Sequence, residues 1–229
     1  MSTDIPPAGP EPGAAAKLQI LATEHWSLLA TRSLTYTESL SRVTIFLAIL
    51  SGGVITLALV AQADSFGRTF ISVAIPLLVV VLFAGIATIS RLNALNRDDF
   101  RWVIGMNRLR HAYLDLYPEL APHFTTSQYD DLDGALQTLG IDHVTAGRGL
   151  GSAFHLLQTL PGMLTVIVAA VAGAIGALAA LAVAVPPLGA VLAAAAAFVL
   201  VVALMVIWER RSVTAVPPSL LPRFPSPPG

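Results

Sequence analysis

The chain has no cysteine, which excludes disulfides, iron–sulfur clusters, thiolate zinc sites and a cysteine nucleophile together. Charge is scarce as well: Asp, Glu, Lys and Arg make up 12% of 229 residues, and the formal net charge is −1. So nearly neutral a chain has no broad basic surface to neutralise nucleic-acid phosphates, and no nucleic-acid partner is expected. Lysine is nearly missing, Lys17 being the single one. With the wealth of Ala, Gly, Pro and Val, that bias points to a GC-rich, bacterial genome. What fills the sequence instead is apolar: 55% of residues are hydrophobic and the mean hydropathy is +0.73. The expected solvent is a lipid bilayer.

Four runs lack any Asp, Glu, Lys, Arg or His: Val43 to Ala61, Phe70 to Ile89, Met163 to Val185 and Leu188 to Trp208. Each is about the length that crosses roughly 30 Å of hydrocarbon as a helix. The first two are joined by the short turn QADSFGRT and the last two by Pro186 and Pro187. Short links make antiparallel neighbours, so the expected fold is all-α: a polytopic membrane protein of two transmembrane hairpins, over 43–89 and 162–208. A kink is expected at Pro76. Residues 1–16, rich in Pro, Gly and Ala, are expected to form a flexible tail, and the first apolar run starts too late for a cleaved signal peptide. Residues 17–42, with Leu18, Leu21, His25, Leu28 or Leu29, Arg32 and Tyr36 at helical spacing, predict an amphipathic helix leading into the membrane. Residues 209–229 read as a Pro-rich tail, flexible or extended.

Between the hairpins, residues 90–161 carry six arginines, eight acidic residues and four of the five histidines. This is the only sizeable polar segment, and it is expected to be a mostly helical cytoplasmic part. Leu92, Leu95, Trp102, Met106, Leu109, Tyr113 and Leu116 predict a helix continuing out of the second span, ended by Pro118 and Pro122. The stripe Trp102, Met106, Leu109 and Tyr113 needs a partner, and Trp26, Leu29 and Tyr36 of the first helix are the nearest candidates. A short helix is expected within Ser127 to Leu139. Arginines before the first span, in the central segment and after the fourth contrast with a single one, Arg68, in the outer turns. Basic segments stay on the cytoplasmic side, so both termini and the central segment are expected inside the plasma (inner) membrane.

Chemistry-bearing patterns are sparse. Charge-free spans argue against proton relays, ion-coupled transport and intramembrane proteolysis, which need a titrating or ion-binding group in the bilayer. Thr44, Ser51, Thr56, Ser72, Thr88 and Thr165 read as packing hydroxyls. Two small-residue ridges, Ala169/Gly173/Ala177 and Ala172/Gly176/Ala180, suit a subunit interface, a pore-lining face or packing against Gly189, Ala193 and Ala197; intrachain packing is favoured. Ser51, Gly52 and Gly53 permit a close contact or a bend. His111, His123, His143 and His155 with Asp130, Asp131, Asp133 and Asp142 match no compact metal spacing. YDDLDG lacks the later ligands of a calcium loop and reads as a solvated acidic turn. AGRGLGS, with Gly147, Gly149 and Gly151, lacks the GK[ST] of a phosphate loop and reads as a connector. No catalytic, cofactor-binding or metal-binding residue is assigned, no cofactor is expected, and the chain is expected not to be an enzyme.

The string EHWSLLATRSLTYTESLSRV, followed by a hairpin and a long polar helix, resembles uncharacterised bacterial small membrane proteins. Through Trp26, Arg32 and Tyr36 it distantly resembles the SLATT family of two-span effectors over residues 17 to 117. That resemblance implies a hairpin with extended cytoplasmic helices that oligomerises and perforates the membrane when a linked sensor fires. The expectation is a membrane scaffold, accessory subunit or pore-like effector, forming a homo-oligomer or binding a cytoplasmic protein through 90–161. The alternative is a small transporter or channel component.

Overall fold

The computed structural model of the chain describes residues 12–140, 159–213 and 220–227. Part of the expected N-terminal tail, the AGRGLGS stretch, Asp142, His143 and His155, and residues 214–219 lie outside them. Among the described residues every regular element is helical. They are α1 (Pro12–Asp64), α2 (Arg68–Leu116), a 3-10 turn (Pro118–His123), α3 (Leu132–Leu139), α4 (Leu160–Ala182) and α5 (Pro187–Val213). Helices α1, α2, α4 and α5 are long and apolar enough to cross a membrane. The first helix and first span are one element, since α1 runs unbroken through both. Helix α2 likewise runs through Pro76.

Local chemistry explains the ends. Asp64 closes α1, and its carboxylate accepts from the Phe70 N–H at 2.8 Å, satisfying one of the orphan donors at the start of α2. The link bends through positive φ at Ser65 and Phe66. Helix α4 ends earlier than the sequence predicts, at Ala182. There the Val185 N–H reaches the Ala180 carbonyl and the Ala184 N–H the Leu181 carbonyl, both at 3.0 Å. That pair of bonds, with Ala184 at φ 58, is a Schellman motif. Pro187 then opens α5, a position where its missing N–H costs nothing.

The chain divides into two compact units. One comprises Tyr36–Arg97 and Gly147–Val216, and its core is Phe46, Leu78, Val81, Ile89, Leu92, Leu95, Leu164, Val168 and Val171. A side chain at Gly85 would overlap Val168 and meet the Phe46 ring at 3.0 Å, so Gly85 is where α1 and α4 both close on α2. Gly53 admits Val81 in the same way, at 3.2 Å, while Gly52 faces open space. The bend allowed at Ser51–Gly53 is therefore a close contact instead. Of the α4 ridge, a Cβ at Gly173 would lie 3.1 Å from the Ala194 carbonyl oxygen, and one at Gly176 would lie 2.8 Å from that of Ala193. The small residues thus pack α4 against α5, as favoured. Gly189 departs from the expected ridge, because it faces Val185 of the turn. The hydroxyls of Thr44, Thr56, Ser72, Thr88 and Thr165 each donate to a carbonyl of their own helix, at 2.8–3.0 Å. They hold no neighbouring helix by that proton. The surface of this unit is apolar, with Phe83 73%, Leu188 72% and Val191 64% exposed. Such a surface suits lipid far better than water.

The other unit comprises Met1–Thr35, Asp98–Ala146 and Pro217–Gly229. Here α1 lies along α2 through three contacts running in opposite chain directions. Arg32 pairs with Asp99 at 2.6 Å, Leu28 closes on Gly105, and the His25 ring stacks on Tyr113 at 5.9 Å. The expected pairing of the two helices is met by a different face of α1. Trp26 is 71% exposed and Leu29 and Tyr36 are exposed as well. The stripe that α2 covers is His25, Leu28 and Arg32, a quarter-turn away.

Candidate functional site

The chemistry of the second unit gathers around the last three turns of α2. Residues 127–139 and 220–227 pack on it there, above a small cluster of Val103, Ile104 and Ala135 flanked by Phe100, Leu139 and Leu220. Asn107 is fully buried in this region. Its amide donates to the Tyr129 carbonyl at 2.7 Å, and its oxygen accepts from Arg110 at 2.6 Å and from the Thr138 hydroxyl at 2.9 Å. Asn107 therefore ties α2 to both the 127–131 loop and α3. Arg110 is buried too, and burial, then the nearby Arg32 charge, lowers its pKa below the ordinary value. Burial, then the Arg110 guanidinium, holds the His25 imidazole below its ordinary value of 6.5 and favours its neutral form.

Beside Asn107, the string YDDLDG is solvated only at Leu132 and Asp133, and Asp130 and Gly134 are buried. Asp130 has no exposed surface. Its carboxylate accepts from Arg108 Nε at 2.7 Å, from the Arg223 N–H at 2.9 and 3.0 Å, and from the Phe224 N–H at 2.8 Å. Burial opposes ionisation of Asp130, yet the bonds from the Arg223 amide, Arg108 and the Phe224 amide outweigh it and keep the carboxyl below its ordinary value. Asp131 caps α3 by accepting from the Gly134 N–H at 2.8 Å and uses its other oxygen for the Ser226 N–H, at 2.7 Å, and the Ser226 hydroxyl. Its carboxyl too is held low: burial raises it, and the Ser226 hydroxyl and the Gly134 amide more than compensate. A side chain at Gly134 would overlap the Tyr129 carbonyl, so only glycine lets the loop fold back on the helix start.

The segment these carboxylates hold is part of the expected C-terminal tail. The physical reason it is not free is that its amides replace water around two acidic groups. The Phe224 ring also stacks on His111 with centroids 4.0 Å apart, and Arg108 Nη2 donates to the Leu221 carbonyl at 2.9 Å. His111 and Trp102 each keep one buried ring nitrogen without a hydrogen-bond partner among the described residues. Of the histidines considered for metal, His123 lies on the exposed 3-10 turn, and no group of three metal-capable side chains occurs among the described residues. Asn107, Arg108 and Phe224 carry no local signal of burial, whereas Asp131 with Gly134 is an N-cap pattern that marks at least the start of α3.

In the first unit Glu38, Arg42 and Arg91 are paired as well. Glu38 accepts from Arg91 at 2.9 and 3.0 Å and from Arg42 at 2.8 Å, and these bonds, Arg91 first, bring its carboxyl down to about 2. Comparison with protein-family models, curated proteins and solved structures finds no match to the chain.

Proposed function

We propose that the chain is a bacterial inner-membrane scaffold or accessory subunit that works by association and not by catalysis. Its four apolar helices would form two transmembrane hairpins, with both termini and residues 90–161 in the cytoplasm. The arginine distribution supports that orientation, because Arg32, Arg42, Arg91 and the central arginines all precede or follow spans on one side.

The observation that carries the reading is on α1, outside the charge-free stretch. Ile20, Trp26 and Leu34 are 69%, 71% and 70% exposed there, on a helix whose other face is already occupied. Covering side chains of this size is worth about 1.5–3 kcal/mol each, so a second copy or a cytoplasmic protein has a ready contact. Mass measurement in mild detergent tests this: the protein should run as more than one copy, and Trp26→Ser with Leu34→Ser should shift it toward the monomer. A strict monomer at every concentration would remove the basis for association.

A transporter or channel component is the competing reading. Hydroxyls bonded within their own helices and charge-free spans leave little to line a polar path, so vesicles containing the protein should conduct no ions. Ion flux there would favour the channel, or a pore-like effector of the kind the SLATT resemblance implies.

A further inference from the structure

The clasp around Asp130 has the chemistry of a peptide-binding site. We propose that the groove formed by Arg108, His111, Asp130 and Asp131 is a reversible recognition site for a bent, proline-flanked peptide, and that Leu220–Pro227 occupies it in cis.

The match between ligand and groove lies in the main chain. Within Leu221–Pro227 the prolines at 222, 225 and 227 have no N–H, which leaves the amides of Leu221, Arg223, Phe224 and Ser226. The groove takes the last three of these, two on Asp130 and one on Asp131. Two tail carbonyls are also read: that of Leu221 by Arg108, and that of Phe224 by the Asp130 N–H at 3.1 Å. Prolines thus stand only where the carboxylates ask for no donor, and their fixed φ narrows the conformations of the free segment, which lowers the entropy lost on docking. Side-chain reading is limited to Phe224 on His111, the Ser226 hydroxyl on Asp131, and Leu220 beside Val103 and Ile104.

Reversibility follows from how little of the tail is covered. Leu221 is 59% exposed, and Pro222, Arg223, Pro225 and Pro227 also face solvent. With few apolar contacts and most of its affinity in main-chain bonds, the segment belongs to the part of a fold that opens at low cost. A second peptide offering the same pattern of amides and prolines can then take its place, which makes the tail a plug for a docking site. This inference stands apart from the association proposed above, since it concerns another face and needs no second copy.

Hydrogen exchange on the full-length protein in detergent, with and without excess synthetic peptide of residues 220–227, tests it. The amides of Arg223, Phe224 and Ser226 should exchange at least about tenfold more slowly in the chain than in the free peptide. Excess peptide should return them to the free rate. Ser226→Ala, which removes the half-buried hydroxyl bonded to Asp131 and leaves the folded core alone, should weaken protection at 226 and lower the peptide concentration needed for displacement. Three results would each overturn the proposal: a tail with no protection, protection that excess peptide leaves unchanged, and protection that disappears on dilution. The second would make the tail a fixed structural strand, and the third would assign it to another copy.

Discussion

Burying a carboxylate costs several kcal/mol unless donors replace the water it loses. Asp130 meets that demand with one guanidinium and two backbone amides. The sign of its pH dependence follows. Because the folded carboxyl sits below its ordinary value of 3.8, its contribution is complete above that value and is lost as the pH falls through the folded one. Protection of the Arg223 and Phe224 amides, corrected for intrinsic exchange, should be flat from pH 8 to about pH 5 and collapse only in stronger acid. Asp130→Asn should lower it across the whole range. A loss between pH 6 and 7 would mean that another group governs the clasp. Ala184 holds φ 58 in the turn after α4. A left-handed conformation costs an L-residue about 1 kcal/mol, so Ala184→Gly should raise stability by roughly that amount in a denaturation midpoint measured in detergent.

At the scale of the element, helix contacts in lipid depend on how closely backbones approach, because the surrounding chains are as apolar as the side chains. A Cβ at Gly176 would meet the Ala193 carbonyl oxygen at 2.8 Å and the Ala197 Cβ at 3.0 Å, whereas Gly52 faces open space. Gly176→Val should therefore lower stability by about 1–3 kcal/mol, and Gly52→Val, the same chemistry on an open face, should change it little. Equal effects would show that helix propensity and not the α4 and α5 seam sets the cost. This seam was legible in the sequence, since Gly173 and Gly176 recur at helical spacing on a run with no charge. The existence of four apolar helices was legible for the same reason. The packed face of α1 was legible in part: His25, Leu28 and Arg32 stand on the stripe read from helical spacing, but Trp26 and Leu29, the expected partners of α2, stay exposed because Asp99 and Tyr113 of α2 supply an ion pair and a ring to Arg32 and His25. The clasp was not legible, because Asp130 and Arg223 are ninety-three positions apart and neither has a local pattern that separates a buried charge from a solvated one.

For the whole molecule, composition decided the most. Charge-free stretches of twenty or so residues have few places to go other than a bilayer, and the cytoplasmic side proposed for the polar remainder rests on the arginines. The association proposed for the chain rests instead on the exposed surface of Ile20, Trp26 and Leu34. The absence of native cysteine makes the central claim directly measurable. In Ser65→Cys, Val183→Cys and Asp115→Cys variants, each with a single thiol, a membrane-impermeant maleimide applied to intact cells should label positions 65 and 183. Position 115 should react only after the membrane is opened. Labelling of position 115 in intact cells, or recovery of the protein in the soluble fraction without detergent, would contradict the account.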